Sequence, residues 1–414
     1  MKIAVIGTGI SGMVTAYLLC GDHDITVFEA NDYIGGHTHT HDIRLNGENH
    51  AVDSGFIVFN EATYPNFVKL MKRLGVAWQP STMGFSVRCE KTGLEYRPSS
   101  LDTLFAQRRN LFRPFFYRMI LDIFRFQRNS GRLLESDDGQ ITLDAYLRQE
   151  GYSRGFVDYF ILPMGAAIWS ADPEKFRAFP ARYFVEFFVN HGFLRLRNQP
   201  RWLVIRGGSR RYVERLTAPY AKKIRLNCPV KSLKREPNQV LLKPCGGEAE
   251  RFDSVIVATH SDQALGLLSD PTDREVAILT ALPYQENLAV LHTDTSLLPR
   301  HRKCWASWNY HIPAQALHRV AVTYDMNILQ SLESREEFCV TLNREEAVSP
   351  EKILKRMHYA HPVFTPEGRK AQQKKAEISG QNRTFYCGAY WGYGFHEDGV
   401  KSALEVCRHF GKTL

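Results

Sequence analysis

The sequence lacks an uninterrupted apolar run of about 18 residues, the length that a membrane-spanning helix needs. It also lacks a signal-peptide apolar segment, because Met1 and Lys2 lead directly into a β-like run. Cysteine is sparse, with eight residues scattered along the chain and no C-x-x-C pair. This distribution argues against a disulfide scaffold or a zinc ribbon, and we predict reduced thiols in a cytoplasmic protein.

Acidic residues are in deficit, since 44 Asp and Glu stand against 53 Lys and Arg and give a net charge of +9. Such a balance favours acidic partners, which include a substrate, a phospholipid surface and nucleic acid. With 44% hydrophobic and 23% charged residues over 414 positions, the composition is that of a globular protein with two or three cores. Disorder and a fibrous architecture are not expected.

The first thirty residues predict a strand, a glycine turn, a helix and a second strand. In the G-x-G-x-x-G turn, Gly7 permits a tight bend and Gly9 permits close approach to a pyrophosphate, while Gly12 allows the helix to pack on the strand. Glu29 ends the second strand, where its carboxylate can accept the hydroxyls of an adenosine ribose. We predict a dinucleotide site formed by Gly7, Gly9, Ile10, Ser11, Gly12 and Glu29.

Further parallel-strand signals occur far along the chain, so the dinucleotide domain is predicted to be assembled from separated pieces. The predicted strands of this domain are 2–6, 25–28, 224–226, 230–234, 239–242, 251–259 and 384–387. The predicted helices are 13–20, 261–268 and 399–410. A second sheet is predicted from strands at 287–293, 304–309 and 319–325, and a buried helix beside an apolar cavity is predicted at 183–189.

Residues 30–38, Ala-Asn-Asp-Tyr-Ile-Gly-Gly-His-Thr, follow Glu29 directly, and the closing segment carries Cys387-Gly388 and then 399–402, Gly-Val-Lys-Ser. With these segments the sequence resembles the flavin-containing amine oxidase superfamily over nearly its full length. The resemblance implies FAD in place of NAD. It implies further FAD contacts from Ala30, Gly35, Gly36, His37, Thr38, Val230, Ala258, Gly388, Gly399, Val400 and Ser402.

The fold implied is α/β, with a Rossmann-type FAD-binding domain built from three chain segments, 1–80, 203–272 and 380–414. A substrate domain of the α+β type, with a mixed sheet and a helical insertion, would comprise 81–202 and 273–379.

Within the superfamily the chain is similar to a bacterial group recognised by three segments, 52–60, 305–310 and 361–364. Members of that group are associated with modification of phospholipid acyl chains, including desaturation of methylated fatty acids. The resemblance implies a lipophilic or phospholipid acyl substrate, hydride transfer to the flavin, and partner enzymes of a lipid-modification pathway. Reduced flavin would be reoxidised by oxygen or another acceptor.

Two departures from the superfamily pattern bear on function. His37 stands where an arginine usually follows the Gly-Gly pair, so the phosphate contact would be weaker or made by backbone and Thr38. Amine oxidases commonly hold a lysine near the flavin on a substrate-domain strand, yet no lysine occurs from 271 to 302. Amine oxidation is therefore the alternative activity, and a non-catalytic FAD-binding scaffold is an alternative of another class.

The turn at 390–398, Tyr-Trp-Gly-Tyr-Gly-Phe-His-Glu-Asp, lies between the last strand and the closing helix. Ligands bind beyond strand ends in open α/β sheets, so we predict that this turn faces the flavin. Tyr390 and Trp391 are the predicted wall of the substrate cavity, and His396 and Glu397 are the candidate acid and base. The alternative is an aromatic turn in which Asp398 caps the helix.

His37, His39 and His41 alternate and would share one face of a strand. A spacing of about 7 Å along an extended strand is too wide for one zinc ion. We therefore expect solvated or hydrogen-bonded histidines and no metal. Asp53 is interpreted as a hydrogen-bond anchor.

Residues 101–135 form a basic, aromatic region with seven arginines and three acidic residues. From Pro114 the pattern predicts an amphipathic helix with its apolar residues on one face and its charged or amide residues on the other. The apolar set is Phe115, Phe116, Met119, Ile120 and Ile123, and the polar set is Arg118, Asp122, Arg125 and Asn129. We expect contact with an anionic membrane surface rather than nucleic acid, with a solvated helix face as the alternative.

Overall fold

The computed structural model describes residues 1–135, 141–192, 194, 200–315 and 317–414. In chain order the strands are β1 (Lys2–Ile6), β2 (Asp24–Phe28), β3 (Thr40–Leu45), β4 (Glu48–Asp53), β5 (Val58–Asn60), β6 (Trp78–Pro80), β7 (Phe85–Cys89), β8 (Glu95–Tyr96), β9 (Trp202–Ile205), β10 (Ile224–Arg225), β11 (Val230–Arg235), β12 (Val240–Pro244), β13 (Glu250–Phe252), β14 (Ser254–Val257), β15 (Tyr284–His292), β16 (Trp308–Ile312), β17 (Val322–Asp325), β18 (Cys339–Leu342), β19 (Ile353–Pro362) and β20 (Thr384–Tyr386). The α-helices are α1 (Ile10–Leu19), α2 (Pro65–Leu74), α3 (Leu101–Leu104), α4 (Pro114–Asn129), α5 (Leu143–Gln149), α6 (Arg154–Phe156), α7 (Leu162–Trp169), α8 (Pro173–Phe176), α9 (Ala181–Asn190), α10 (Arg210–Thr217), α11 (Ser261–Leu267), α12 (Asp273–Thr280), α13 (Met326–Gln330), α14 (Pro366–Gln372) and α15 (His396–His409).

A five-stranded parallel sheet with the order β10-β2-β1-β14-β20 organises one half of the molecule. Its central strands β2, β1 and β14 are buried along nearly their whole length, as expected for a sheet that is covered on both faces. Ile3 and Val5 of β1 point into the core that includes α1, α10 and α15, whereas Ala4 and Ile6 point into the core that includes β11–β13 and α11. This alternation is the period-two geometry of a strand.

A seven-stranded sheet with the order β19-β15-β18-β17-β16-β7-β8 organises the other half. Its strand pairs are antiparallel except for β16 and β7, so the sheet is mixed. Helices α4 to α9 bury their apolar residues in the same core as this sheet. The α/β class, with a separate mixed sheet and a helical insertion, is confirmed. No helix in the described part of the chain is long and apolar enough to cross a membrane.

Several element boundaries differ from the sequence expectation for local reasons. Helix α1 begins at Ile10 rather than 13, so Gly12 lies inside the helix. Helix α15 begins at His396 rather than 399, because the Asp398 carboxylate in its first turn accepts hydrogen bonds from the N–H groups of Tyr393 and of the N-cap residue Phe395. The predicted strand 251–259 is two short strands, β13 and β14, which belong to different sheets.

Two elements that the predicted division places in the substrate domain contribute to the core beneath the parallel sheet. Ile278 and Leu279 of α12 and Ala371 of α14 pack there with Val255 and Val257. In the second sheet, residues 302–304 form a short 3-10 turn, and strand β16 starts only at Trp308.

Helix α4 forms as predicted from Pro114, but its faces differ from the prediction. Phe116, Met119 and Phe126 are buried, and so is Asp122, which was expected on the outer face. The Asp122 carboxylate accepts a hydrogen bond from the Ser153 N–H and lies 3.4 Å from Arg118 Nε, and these contacts compensate its burial.

Candidate functional site

The glycine motif shapes an open cradle at the carboxyl end of β1. Helix α1 starts there with Gly9 as its N-cap and no side-chain cap. A Cβ on Gly7 would lie 2.8 Å from the Ala258 carbonyl oxygen, and a Cβ on Gly12 would lie 2.0 Å from that of Gly7, whereas a Cβ on Gly9 would meet nothing within 4 Å. Gly7 and Gly12 are therefore needed for packing, and Gly9 borders free space in front of a helix N-terminus, which favours an anion.

The Gly-Gly pair and the closing helix complete this cradle. A Cβ on Gly36 would lie 3.2 Å from the Gly9 Cα, and a Cβ on Gly399 would lie 2.6 Å from a methyl of Ile10. The Ser11 hydroxyl donates a hydrogen bond of 2.9 Å to the Gly399 carbonyl. Three segments that are far apart in sequence thus converge on the N-terminus of helix α1, as a phosphate-binding site requires.

Glu29 is buried beside the cradle and holds the neighbouring loops. Its carboxylate accepts hydrogen bonds from the N–H groups of Thr8 and Asn31 at 2.9 Å each. The Cys228 N–H donates to the Glu29 carbonyl at 2.8 Å, which brings the segment leading to Val230 to the same place. Glu29 and the segment before Val230 therefore meet at the end where an adenosine would bind.

The contacts of the other predicted cofactor residues join neighbouring segments of the chain. The Ala258 N–H donates to the Ile6 carbonyl at 2.8 Å. The Ser402 hydroxyl accepts the Gly388 N–H at 3.1 Å and the Lys375 ammonium at 2.9 Å. Val400 is fully buried, whereas Ala30 is exposed, and Gly35 fits only as glycine, because a Cβ there would lie 2.3 Å from the Thr38 carbonyl oxygen.

A histidine cluster, which the sequence analysis missed, lies where the parallel sheet meets the second sheet. The His37 ring is 5.2 Å from that of His361 and 6.1 Å from that of His260. Asn287 Nδ2 lies 2.9 Å from His361 Nδ1, and His260 stacks on Tyr284. Burial lowers the pKa of His361 to about 4 and lowers that of His37 well below its usual value, so both imidazoles are neutral at pH 7.

Unpartnered polar atoms at this junction indicate a missing ligand. Among the residues that the structure covers, two buried side-chain nitrogens at the cluster have no hydrogen-bond partner, His37 Nε2 and Gln285 Nε2. Buried polar groups are normally paired, and a flavin ring offers carbonyl oxygens and ring nitrogens as acceptors. The cradle and these donors fit FAD.

His396 is held as a structural residue rather than presented as an acid. Its Nε2 lies 3.0 Å from the Thr38 hydroxyl and 2.9 Å from the Tyr212 hydroxyl, and its ring stacks on Phe56 at 3.5 Å. Burial lowers the pKa of His396 to about 3. A proton-donating role at neutral pH does not suit such a group.

Glu397 has the contacts of a helix cap rather than of a general base. Its carboxylate accepts the Phe67 N–H at 2.9 Å, and it accepts the backbone N–H and the side-chain amide of Asn66 at 3.2 and 2.6 Å. These donors lie in the first turn of α2, whose free N–H groups need acceptors. Glu397 therefore ties the closing helix to α2.

We expect Glu397→Ala to lower the free energy of unfolding by about 2 kcal/mol, because buried N–H groups of Asn66 and Phe67 lose their acceptor. Urea unfolding of the FAD-loaded protein measures this change. Glu405→Ala, which removes an exposed carboxylate from the same helix, is the matched control and should stay within about 0.5 kcal/mol. An unchanged urea midpoint for Glu397→Ala, together with slower flavin reduction, would restore the acid–base role.

The aromatic turn divides between the two cores. Tyr390 is 1% exposed and packs with the core beneath the parallel sheet, and Trp391 packs against the same core, so neither forms the predicted wall. Tyr393 and Phe395 instead pack against the core of the second sheet. The turn thus contributes side chains to both cores.

The side chains at the junction form what we call the aromatic wall: Tyr183, Phe187, Phe364, Tyr393 and Phe395. Ring centroids lie 4.4 Å apart for Tyr183 and Tyr393, and 5.1 Å apart for Phe187 and Phe395. The Tyr183 hydroxyl donates to the Gly392 carbonyl at 2.6 Å, which fixes the turn against α9. The predicted buried helix at 183–189 thus supplies one side of the wall.

The remaining polar candidates have structural contacts. The rings of His39 and His41 lie 4.1 Å apart, closer than the ideal strand spacing, and His41 is hydrogen-bonded to Ser54. Asp53 is fully buried and accepts hydrogen bonds from Ser209 and Gln330, as expected of an anchor. In the described ranges no group of three or more His, Cys, Asp and Glu is arranged to hold a metal.

The chain matches the family model described as flavin containing amine oxidoreductase over residues 10–293. Tryptophan 2-monooxygenase of Allorhizobium ampelinum is 57% identical over 42 residues, a segment that spans 10% of this chain and only 6% of that protein. The fatty acid isomerase of P. acnes, a CLA-producing enzyme, superposes with a TM-score of 0.71 at 17% identity, covering 99% of this chain and 98% of that one. Cyclohexylamine oxidase from Brevibacterium oxydans superposes with a TM-score of 0.70 at 16% identity, covering 99% of each chain.

The two structural similarities concern the fold alone. The family match covers well over half of the chain and includes the start of α1 and strand β14, which border the cradle. It agrees with the cradle in giving the protein FAD as its cofactor and the class of an FAD-dependent oxidoreductase. The chain belongs to the flavin-containing amine oxidoreductase family.

Proposed function

We propose that the protein dehydrogenates an apolar substrate, a phospholipid-linked fatty acyl chain, and thereby introduces a double bond. FAD, when bound, supplies the acceptor for the hydride taken from a C–H bond of the substrate. The protein must then hold an apolar chain in a fixed place and keep water away from it.

The aromatic wall is the observation that carries this proposal. It joins the turn after β20 to α9 and to Phe364, and it presents rings from both halves of the molecule. Aromatic rings bury large apolar areas, which suits a methylene chain. The wall lies at the carboxyl end of the parallel sheet, where ligands bind in this class of fold.

The Glu186 carboxylate beside the wall does not favour a cationic substrate. The Glu186 carboxylate accepts a hydrogen bond from the Tyr393 hydroxyl at 3.2 Å, but it is already paired with Arg182 at 3.3 Å and Arg369 at 3.9 Å. An ammonium group would therefore find no uncompensated carboxylate in Glu186. The neutral histidine cluster adds no negative charge either.

Two similarities support the acyl chain as the substrate class. One structure with the same fold is a fatty acid isomerase by name. The bacterial group that the sequence resembles is associated with desaturation of methylated acyl chains. A substrate of that kind implies partner enzymes that methylate the chain before it reaches this protein.

Lipid analysis of cells tests the proposal. We expect the acyl species that carry the double bond introduced by this protein to disappear when the gene is deleted and to return with the native gene. They should remain absent when the gene encodes the Gly9→Asp variant, which is expected to lack FAD. Identical acyl profiles in all strains would contradict the proposal.

Amine oxidation is the second candidate, because the family carries that name and cyclohexylamine oxidase shares the fold. Strand β15 of the second sheet contains no lysine, which counts against it. Rapid flavin reduction by simple amines would favour this candidate, and reduction by neither amines nor acyl lipids would favour a non-catalytic FAD-binding scaffold.

A further inference from the structure

Exposed apolar side chains are concentrated in one region of the surface. Phe112 is 85% exposed, Leu121 63% and Phe124 52%. Seven of the large apolar residues that the described chain exposes fall between 101 and 124, whereas Met1, Val189, Leu226 and Val276 are scattered. We call this region the docking surface, and its apolar members are Leu101, Leu111, Phe112, Phe115, Tyr117, Leu121 and Phe124.

Helix α4 presents part of this surface as a continuous stripe. Tyr117, Leu121 and Phe124 follow one another at helical spacing on the face opposite the buried Phe116 and Met119. The helix is therefore apolar on both faces, and only one of them is covered by the protein. A clustered apolar surface of this kind marks an interaction site.

Arginines border the stripe. A cleft of about 310 Å³ is lined by Phe124, Arg125, Arg128, Asn129 and Arg132. The Arg125 guanidinium forms ion pairs with the carboxylates of Asp122 and Glu150, with a nitrogen-to-oxygen distance of 3.7 Å in each. Arg128 and Arg132 are exposed, and within the described residues no carboxylate lies within 4.0 Å of either guanidinium. The cleft thus combines an exposed aromatic ring with two exposed arginines that have no carboxylate partner among the described residues.

We propose that the docking surface binds an anionic phospholipid membrane, with the stripe of α4 at the acyl boundary and the arginine cleft on headgroup phosphates. Residues 101–132 carry seven arginines and two aspartates, so the surface complements an anionic layer. The exposed leucine and phenylalanine side chains argue against the alternative that this region is only a solvated helix face. Membrane binding is inferred from the geometry of this surface alone. The purpose of that binding, which is access to esterified acyl chains, rests on the proposed function.

Vesicle sedimentation of the FAD-loaded protein tests this inference. We expect binding to vesicles that contain phosphatidylglycerol, little binding to pure phosphatidylcholine, and partial release as ionic strength rises. Arg128→Glu with Arg132→Glu should weaken binding more than about tenfold, since each cation near an anionic surface contributes roughly fivefold. Leu121→Ser with Phe124→Ser should weaken binding at both low and high salt, because the apolar contact is not screened.

The matched control is Arg215→Glu with Arg251→Glu, two exposed arginines of the other half of the molecule, which should bind as the native protein does. The flavin spectrum shows that each variant is folded, and flavin reduction by a detergent-solubilised acyl lipid reports the proposed function separately. Binding that ignores salt and both docking-surface variants would overturn the inference. So would self-association that is lost in Leu121→Ser with Phe124→Ser, since a second copy of the chain would then cover the stripe.

Discussion

Gly9→Asp should purify as a folded protein without FAD. A Cβ at Gly9 meets no atom within 4 Å, and its φ of −60° suits any residue, so the change does not disturb the polypeptide itself. Its carboxylate would stand where a pyrophosphate meets the start of α1. Like charges about 4 Å apart cost about 4 kcal/mol at an effective dielectric constant of 20, so FAD affinity should fall about a thousandfold. The flavin absorbance of the purified protein measures the effect.

Gly21→Asp is the control for this variant. Gly21 also has no atom within 4 Å of a built Cβ, but it lies at the opposite end of α1, in an exposed turn. The same charge added there should leave FAD occupancy unchanged. Full FAD occupancy in Gly9→Asp would show that the pyrophosphate does not approach this turn.

The Tyr393→Ala variant should retain FAD, but an acyl substrate should reduce its flavin at least about tenfold more slowly than in the native protein. Tyr393 packs on Tyr183 and Phe187 and links the turn to α9, so its loss removes the central ring of the aromatic wall. Misplacement of a reacting carbon by about 1 Å can slow a reaction about a hundredfold. Stopped-flow measurement of anaerobic flavin reduction gives the rate.

Tyr393→Phe keeps the ring and loses only the hydrogen bond to Glu186, so its rate should stay near that of the native protein. Tyr390→Ala should instead lower the stability of the protein by about 3 kcal/mol, because it leaves a cavity in the core beneath the parallel sheet. Native reduction rates in Tyr393→Ala would mean that the aromatic wall does not position the substrate.

The glycine motif of the cofactor cradle was predictable because its spacing is local. A glycine at positions 7, 9 and 12 after a buried strand satisfies a tight turn, an open approach and a close helix contact. The same logic applies to the Gly-Gly pair at 35 and 36, whose spacing from Glu29 is short. The motif can therefore be recognised from neighbouring residues, although the residues that it packs against, Ala258 and Gly399, are distant in the sequence.

The roles within the closing turn were not predictable, because they depend on contacts across the whole chain. The Glu397 carboxylate accepts a hydrogen bond from the Phe67 N–H, which is 330 residues away in sequence. No local sequence pattern predicts that contact. His260 and His361 join His37 only when β14 and β19 come together. The faces of α4 were ambiguous because the helix has apolar residues all around, and only packing decides which of them are covered.

Anaerobic titration of the FAD-loaded protein tests the central claim most directly. Phospholipid with methylated acyl chains, offered in anionic vesicles, should bleach the flavin absorbance and yield one new double bond for each flavin reduced, while a panel of simple amines should leave the spectrum unchanged. Bleaching by amines with no response to the acyl lipid would contradict the account.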